Sequence, residues 1–449
     1  MNSENKLECI SLKNDAKAKP EPTKKPSTIK HRVIQSETEF DELKTEWNLL
    51  CEYTNSHVFQ TYEWNRSWWK HFGFYGKLQI FVLYDDDNIV GIAPLFIDEY
   101  TLFGLKTYTI LRMIGSGIGK TKDGVLLGSK AYSDYLQFVI QKGYETSFYE
   151  HLMAHIKKEV LFDAMILEEI PELSSTLELL ENDFASLGFK VNIKKASITT
   201  RIEPEQKGWD GYLKKLSGNE RKNVRKSIRK TENTGENVFR VVVIDDNIDF
   251  EYYLKQFIQL HQDQWNREGL PGTFSQNSMK KFFLETCEKL LHKASIRVYA
   301  LLPAEETGAE SAVSIAIVMI YNNQMYLQHG AMDLSSPLIH IGPGKILNTI
   351  IIKDSVQSGL TFDFLRGDEV YKQRLATKIN QNITIEISSE SVRQILLKKM
   401  VDTTQSLKKR YANELVRKDI VTKNHSSIVG WYHYSLFLSS RLASKLNIV

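Results

Sequence analysis

Gly359 separates two different periodicities, and few architectures accommodate what lies on either side of it. Before it, Ile346, Leu347, Ile350 and Ile351 recur at helical spacing behind Ile341-Gly-Pro-Gly-Lys345. After it, Thr361 to Leu365 alternates as a strand does, with Phe362 and Phe364 on one face and Asp363 on the other. A glycine at the junction supplies the left-handed conformation that ends a helix. A helix feeding directly into a short buried strand is an α/β signature. The strand then runs into Arg366, Asp368, Glu369, Tyr371, Lys372 and Arg374 within nine residues. Such a burst of ionisable groups beside a core strand marks either a ligand site or a solvated strand end with surface ion pairs.

The rest of the chain repeats the alternation. Helical patterns over Thr38–Leu50 and Gln60–Phe72 precede strands Leu78–Tyr84 and Ile89–Ile97, joined by an Asp85–Asn88 turn. The glycine-rich stretch Met113–Gly119 lacks the spacing of a dinucleotide or P-loop fingerprint and reads as a strand end and loop. Helices are expected around Tyr132–Lys142, Glu145–Lys158 and Ser174–Leu187, with strands Phe162–Glu168, Phe189–Lys195 and Ser197–Glu203. A boundary near Pro204 divides the chain into residues 31–203 and 204–390. Beyond it come strand Phe239–Ile244, a helix carrying His261 and Trp265, helix Ser278–His292, strand Ala294–Leu302 and the acidic turn Pro303–Glu310. Strands Ala312–Tyr321 and Gln324–Gly330 then pair across Asn322-Asn323.

Composition excludes several classes. The 449 residues are 42% hydrophobic and 25% charged with a net charge of +3, so no global field points to nucleic acid or membrane. Cys9, Cys51 and Cys287 form neither a disulfide framework nor a thiolate metal site. Residues 1–30 are polar, rich in Lys and Pro, and read as a flexible tail without a secretory signal. The longest apolar run, Ala312–Tyr321, is too short to span a bilayer, so a cytoplasmic protein is expected. Residues 391–449 form a basic helical tail, with eleven Lys and Arg against three Asp and Glu. Its last amphipathic segment, Trp431–Leu442, could dock on the domain or touch a membrane surface peripherally.

Two features offer anion contacts. Ser217 and Glu220 form a capping box opening a helix in which Arg221, Arg225 and Arg229 line up beside Val224 and Ile228. Six positive charges in ten residues, offset only by Glu220, disfavour an isolated helix and point to a phosphate or nucleotide near Arg221 and Arg225. Pro343 suits the first position of a helix whose start, at Gly342, Gly344 and Lys345, offers free N–H groups to an anion. His261, one turn before Trp265, reads as a core or hydrogen-bonded histidine more readily than a catalytic one, and is retained as a substrate contact with Arg366 and Asp368.

Leu216-Ser-x-x-x-Arg-x-x-x-Arg225, His261-x-x-x-Trp265, Ser336-Pro…Gly344-x-x-Leu347 and Phe362-Asp-Phe-Leu-Arg-Gly-Asp-Glu-x-Tyr-Lys372 occur in that order. With Phe59-Gln-x-Tyr-x-Trp64, Trp68-Trp69, Val90–Phe96 and Ser133-Asp-Tyr135, the set resembles the CelD-like (BcsL-like) acetyltransferases of bacterial cellulose and exopolysaccharide synthesis. These belong to the GNAT superfamily and are related to the FemAB peptidoglycan aminoacyl transferases. The resemblance, over roughly residues 40–380, implies two tandem GNAT-like α/β domains with mixed sheets flanked by helices. It also implies acyl transfer from acetyl-CoA or another acyl-CoA, as cosubstrate, to an amine or hydroxyl of a sugar, glycan or lipid-linked acceptor. No bound cofactor or metal is implied. Asp363 or Glu369 would then act as base or substrate anchor, Tyr371 as acid, and Lys372 as the positive charge facing the oxyanion or donor phosphates. One position departs from the pattern: Ile339 stands where GNAT enzymes usually place Gln or Arg, three residues before Gly342. Pro343 also donates no N–H, so Lys345 or the Arg221/Arg225 line would have to compensate. Two other readings stay open: a FemAB-like transferase using aminoacyl-tRNA, and a non-catalytic assembly factor that keeps the fold.

Overall fold

The computed structural model describes residues 28–388 apart from internal segments at 55, 103–104, 117–119, 122–123, 126–132, 161, 175–183, 185–188, 233–237, 271, 294 and 306–310, and beyond 388 only positions 399, 403 and 406. Most of the expected N-terminal tail, the Ser174–Leu187 helix, the acidic turn and the basic tail from 391 therefore lie outside the described residues.

Before Pro204 the strands are β1 (Ile29–Ile34), β2 (Gly76–Asp85), β3 (Asn88–Leu102), β4 (Leu105–Met113), the short β5 (Lys120–Thr121), β6 (Gly124–Val125) and β7 (Val139–Ile140), then β8 (Ala164–Pro171) and β9 (Lys190–Ile202). After it come β10 (Phe239–Ile244), β11 (Ile296–Pro303), β12 (Ser314–Tyr321), β13 (Gln324–Met332), β14 (Thr361–Arg366) and β15 (Lys378–Ser388). Among the described residues, all but β5 and β6 join one mixed sheet in the order β1-β2-β3-β4-β8-β15-β9-β14-β13-β12-β11-β10, with β7 beside β3. The two halves interleave at its centre. β15, from the second half, lies antiparallel between β8 and β9, while β9, from the first, pairs antiparallel with β14.

The helices are α1 (Glu37–Glu42), α2 (Lys44–Tyr53), α3 (Tyr62–Phe72), α4 (Glu145–Glu159), α5 (Gly208–Lys215), α6 (Gly218–Arg229), α7 (Asn247–Arg267), α8 (Asn277–Leu291), α9 (Pro343–Gln357) and α10 (Val370–Leu375). Their ends follow the local sequence. Ser36 and Glu39 close a reciprocal capping box on α1. Gly342, at φ +79, caps α9 before Pro343. At its other end Gly359 takes φ +71, its N–H bonds Val356 O at 3.2 Å, and Leu360 N–H bonds Ser355 O at 2.9 Å. That pair of bonds is a Schellman motif, and it turns the chain directly into β14.

Two expectations need correction. The helix expected around Tyr132–Lys142 is absent from the described part of that range: 133–138 is irregular, Tyr135 takes φ +52, and β7 fastens onto β3 at Gly91 and Ile92. Its apolar residues are spaced for contacts with several distant elements rather than for one helix face. Phe189–Lys195 and Ser197–Glu203 are one strand, β9, because no turn-forming residue separates them and pairing with β15 runs through both.

One hydrophobic core crosses Pro204, packing Trp64, Trp68 and Phe72 of α3 with Phe257 of α7 and Phe282 of α8. Trp64 and Phe72 meet Phe282 edge-on at 5.4 and 5.3 Å, a favoured aromatic geometry. The same helix pair carries a partly buried charge cluster. Glu285 accepts from Lys70 and His71 at 2.8 Å each and from Lys289 at 2.7 Å. Burial pushes its carboxyl up, but the bonds from Lys289, Lys70 and His71 outweigh it and hold it at about 2. A depressed carboxylate stabilises the fold above its unfolded value near 4.5, and loses that contribution as pH falls through 2. Glu285→Gln should therefore cost about 1–2 kcal/mol in urea unfolding at pH 7. The gap from wild type should narrow by pH 3; a pH-independent gap would contradict this origin.

Candidate active site

A cavity of about 1370 Å³ opens where the halves interleave. One end is the start of α9, where Gly344 and Lys345 line it. A Cβ at Gly344 would lie 2.6 Å from Met332 Sδ, so a side chain there would have to displace that thioether. The helix geometry leaves the N–H groups of Gly344 and Lys345 without intrahelical acceptors. Gly342 shapes this end through its left-handed backbone and does not itself line the cavity.

The segment after β14 supplies the next wall. Glu369, Tyr371 and Lys372 all line the cavity, Lys372 by way of the short α10. Lys372 is only 7% exposed, an uncommon state for a lysine. Its Nζ donates to Arg366 O at 3.1 Å and pairs with Glu369 at 3.0 Å. Tyr371 is half exposed, and burial, then the Glu369 charge, push its phenol up to about 12. At neutral pH it is a firm hydrogen-bond donor to an anion and a poor source of a full proton.

The other residues picked out by sequence are dispersed. Asp363 is fully buried on the face of β14 away from Phe362 and Phe364, outside the cavity. It accepts from Tyr135 Oη and from Leu365 N–H at 2.7 Å each. Burial raises its carboxyl to about 6, against the opposing bonds from Tyr135 and Leu365. Arg366 lines the cavity but spends its charge internally, pairing with Asp134 at 2.7 Å and Glu169 at 3.5 Å. Asp368 is exposed and outside the lining.

Arg221 donates from Nε to Leu213 O at 2.8 Å and from Nη2 to Lys214 O and Leu216 O at 3.1 Å. It thus closes the C-terminal end of α5, whose orphan carbonyls need donors. Arg225 is exposed and does not line the cavity. Ser217 caps α6 by accepting Glu220 N–H at 3.2 Å, while the Glu220 carboxylate lies 3.9 Å from Arg374. His261 is buried at the cavity wall, and its Nε2 accepts the indole N–H of Trp265 at 3.0 Å. Burial lowers its pKa to about 4, so at neutral pH the ring is uncharged, with its proton on Nδ1.

The cavity residues from the first half lie beyond the site residues expected from the sequence, although Asp134 belongs to the Ser133-Asp-Tyr135 motif. Arg112 on β4, Asp134, and Glu168 and Glu169 on β8 line the same cavity. Arg112 pairs with Asp98 at 3.3 Å and Glu168 at 3.4 Å. Burial, reinforced by Glu169 and opposed by Arg366, raises Asp134 to about 6. The available signals were Arg112 inside an otherwise apolar strand and Glu168-Glu169 ending another. Among the described residues no cluster of His, Cys, Asp and Glu is arranged to hold a metal ion, and no helix is long and apolar enough to cross a membrane.

Residues 218–373 match the family model described as an acetyltransferase (GNAT) domain. No curated protein matches the chain. Among solved structures, FemX superposes with a TM-score of 0.54 at 14% identity, covering 82% of this chain and 99% of FemX. The L-PGS structure from Bacillus licheniformis gives 0.44 at 11% identity, over 84% of this chain and 97% of that one. A tandem GNAT protein from the clavulanic acid biosynthesis pathway gives 0.39 at 10% identity, over 81% and 100%. The chain thus carries a GNAT-type domain over residues 218–373, within an α/β architecture whose fold is shared with FemX.

Proposed function

We propose that the protein is an acyltransferase that moves an acyl group, most simply acetyl from acetyl-CoA, onto an amine or hydroxyl of a sugar or glycan intermediate of exopolysaccharide or cell-envelope synthesis. The observation that carries this reading is that the α9 start and the Glu369–Lys372 pair line one cavity, within the segment that matches the GNAT domain. Donor phosphates would lie against Gly344 and Lys345, with Gly342 setting the turn. In direct attack on a thioester, the carbonyl carbon gains the acceptor's N or O and loses the thiolate sulfur. The Lys372 ammonium would stabilise the developing oxyanion. Glu369 would take the acceptor's proton, and the Tyr371 hydroxyl would hydrogen-bond the leaving thiolate. The paired charges that the first half brings to the cavity offer both donors and acceptors, as a hydroxyl-rich acceptor requires.

A FemAB-like transfer from aminoacyl-tRNA is the second reading. The likeness to FemX favours it, as do the exposed Lys222, Arg225 and Lys226 on α6. A non-catalytic assembly factor is the third, suggested by Ile339 in place of Gln or Arg. A cytoplasmic location, with peripheral membrane contact through the basic tail, accords with the first reading. Calorimetric titration separates the three. Acetyl-CoA binding supports the first. Binding of aminoacyl-tRNA that weakens steeply with salt supports the second. Silence with both leaves the third.

A further inference from the structure

Asp363 is a buried carboxylate that the proposed chemistry does not use, and its partners assign it another task. Its Oδ1 accepts the Leu365 N–H at 2.7 Å, and Leu365 is held at φ +59, a conformation a side chain with Cβ adopts only when its surroundings impose it. The β14–β9 register slips between Asp363 and Arg366, so Leu365 is the centre of a bulge. Beyond the bulge, Gly367 at φ +146 donates to Ile198 O at 2.9 Å, and the Arg366 carbonyl accepts from Lys372 Nζ at 3.1 Å. The lysine is thus seated by a carbonyl whose direction the bulge determines.

The bulge is gripped from the other half of the chain. Tyr135 donates to Asp363 Oδ2 at 2.7 Å, and its ring stacks on His57 at 4.4 Å. Asp134 pairs with Arg366 Nε at 2.7 Å, and Ser133 O accepts from Arg366 Nη2 at 3.3 Å. Ser133 is itself fixed, its Oγ accepting the Trp64 indole N–H at 2.7 Å. Three consecutive residues, one of them in a left-handed conformation, therefore hold both ends of the bulge across more than two hundred positions of sequence.

We propose that Ser133-Asp134-Tyr135 is a positioning brace: through Asp363 and Arg366 it holds the Leu365 bulge that presents the Arg366 carbonyl to Lys372. Asp363 is then a positioning residue that acts through Lys372, not a base that meets the substrate. The inference rests on the reading of Lys372 as the ammonium at the reacting carbonyl, and it gives the first half of the chain a share in building that centre.

The test compares Asp363→Ala, Asp363→Asn and Tyr135→Phe. Asparagine keeps an oxygen for the Leu365 N–H and a polar partner for Tyr135, so transfer should stay within about fivefold of wild type. Alanine removes both bonds, and kcat should fall about a hundredfold with acyl-CoA KM within about twofold, as displacement of a catalytic group predicts. Tyr135→Phe, which keeps the ring on His57, should lie between them and serves if the alanine variant fails to fold. A second readout needs no turnover: reductive methylation of Lys372 followed by peptide mass spectrometry. Its rate should rise about tenfold in Asp363→Ala and measurably in Tyr135→Phe, and stay at the wild-type value in Asp363→Asn, because the amine is released from its carbonyl only when the bulge relaxes. An asparagine variant as inactive as alanine would restore Asp363 as a base and overturn the brace. So would Lys372 labelling unchanged in both Asp363→Ala and Tyr135→Phe. If the wild type transfers no acyl group at all, the functional reading fails, while the labelling result still decides the brace.

Discussion

Lys372→Met should lower acyl transfer by about two to three orders of magnitude while donor binding changes little. Removing one preorganised donor from an oxyanion site typically costs that much in kcat, because the interaction strengthens only as charge develops. Methionine fills much of the buried volume of the lysine stem but cannot donate to the Arg366 carbonyl or pair with Glu369. The lysine's 7% exposure means that its removal is felt by the fold as well. Loss of the bond to Arg366 O should cost about 1 kcal/mol, and the pair with half-exposed Glu369 adds little. Stopped-time transfer assays, with a thermal melt alongside, would check both parts. Transfer within about fivefold of wild type would remove Lys372 from the mechanism.

The sequence reaches this lysine but stops short of the first-half residues that line the same cavity, and the difference is one of range. The Schellman ending at Gly359, the α9 start at Gly342 and Pro343, and the opposite faces of Phe362 and Asp363 are set by contacts within five residues, which periodicity and turn chemistry expose directly. Arg221 was legible as part of a basic helix, yet its guanidinium is bound to three carbonyls of the preceding turn and helix. A charge count records the cation and cannot record that backbone dipoles already satisfy it. The pairing of Asp134 with Arg366, and of Tyr135 with Asp363, joins segments whose proximity depends on β15 and β9 interleaving between the halves. No local pattern encodes that crossing. The segment 133–140 departs from a helix for the same reason: its groups answer to Trp64 on α3, to β3, to Asp363 on β14 and to Phe59 rather than to one another.

Arg366→Ala should be the most damaging single truncation in the site for stability, and its cost should depend on pH in a stated direction. Asp134 and Glu169 are 5% and 8% exposed at their side chains, and the guanidinium is their shared countercharge. Removing one partner of a buried pair typically costs about 3–5 kcal/mol, because the remaining charge keeps its desolvation penalty without its attraction. With the arginine present, burial already raises Asp134 from 3.8 to about 6. A raised carboxyl pKa means that the folded state holds its proton more firmly than the unfolded chain does. The associated stability is complete below 3.8 and is lost as pH rises through 6. Without Arg366 the carboxyl moves higher still, so the variant can shed much of its penalty by protonation. Urea unfolding should therefore find a deficit of about 3 kcal/mol or more at pH 8 that shrinks to about 1–2 kcal/mol at pH 5. The double variant Arg366→Ala/Asp134→Asn should recover part of the loss at pH 8 and little at pH 5, since it removes the charge that the lower pH neutralises. Equal deficits at both pH values, or no recovery in the double variant, would mean that Arg366 stabilises the interleaved sheet through packing rather than through the charge it places between Asp134 and Glu169.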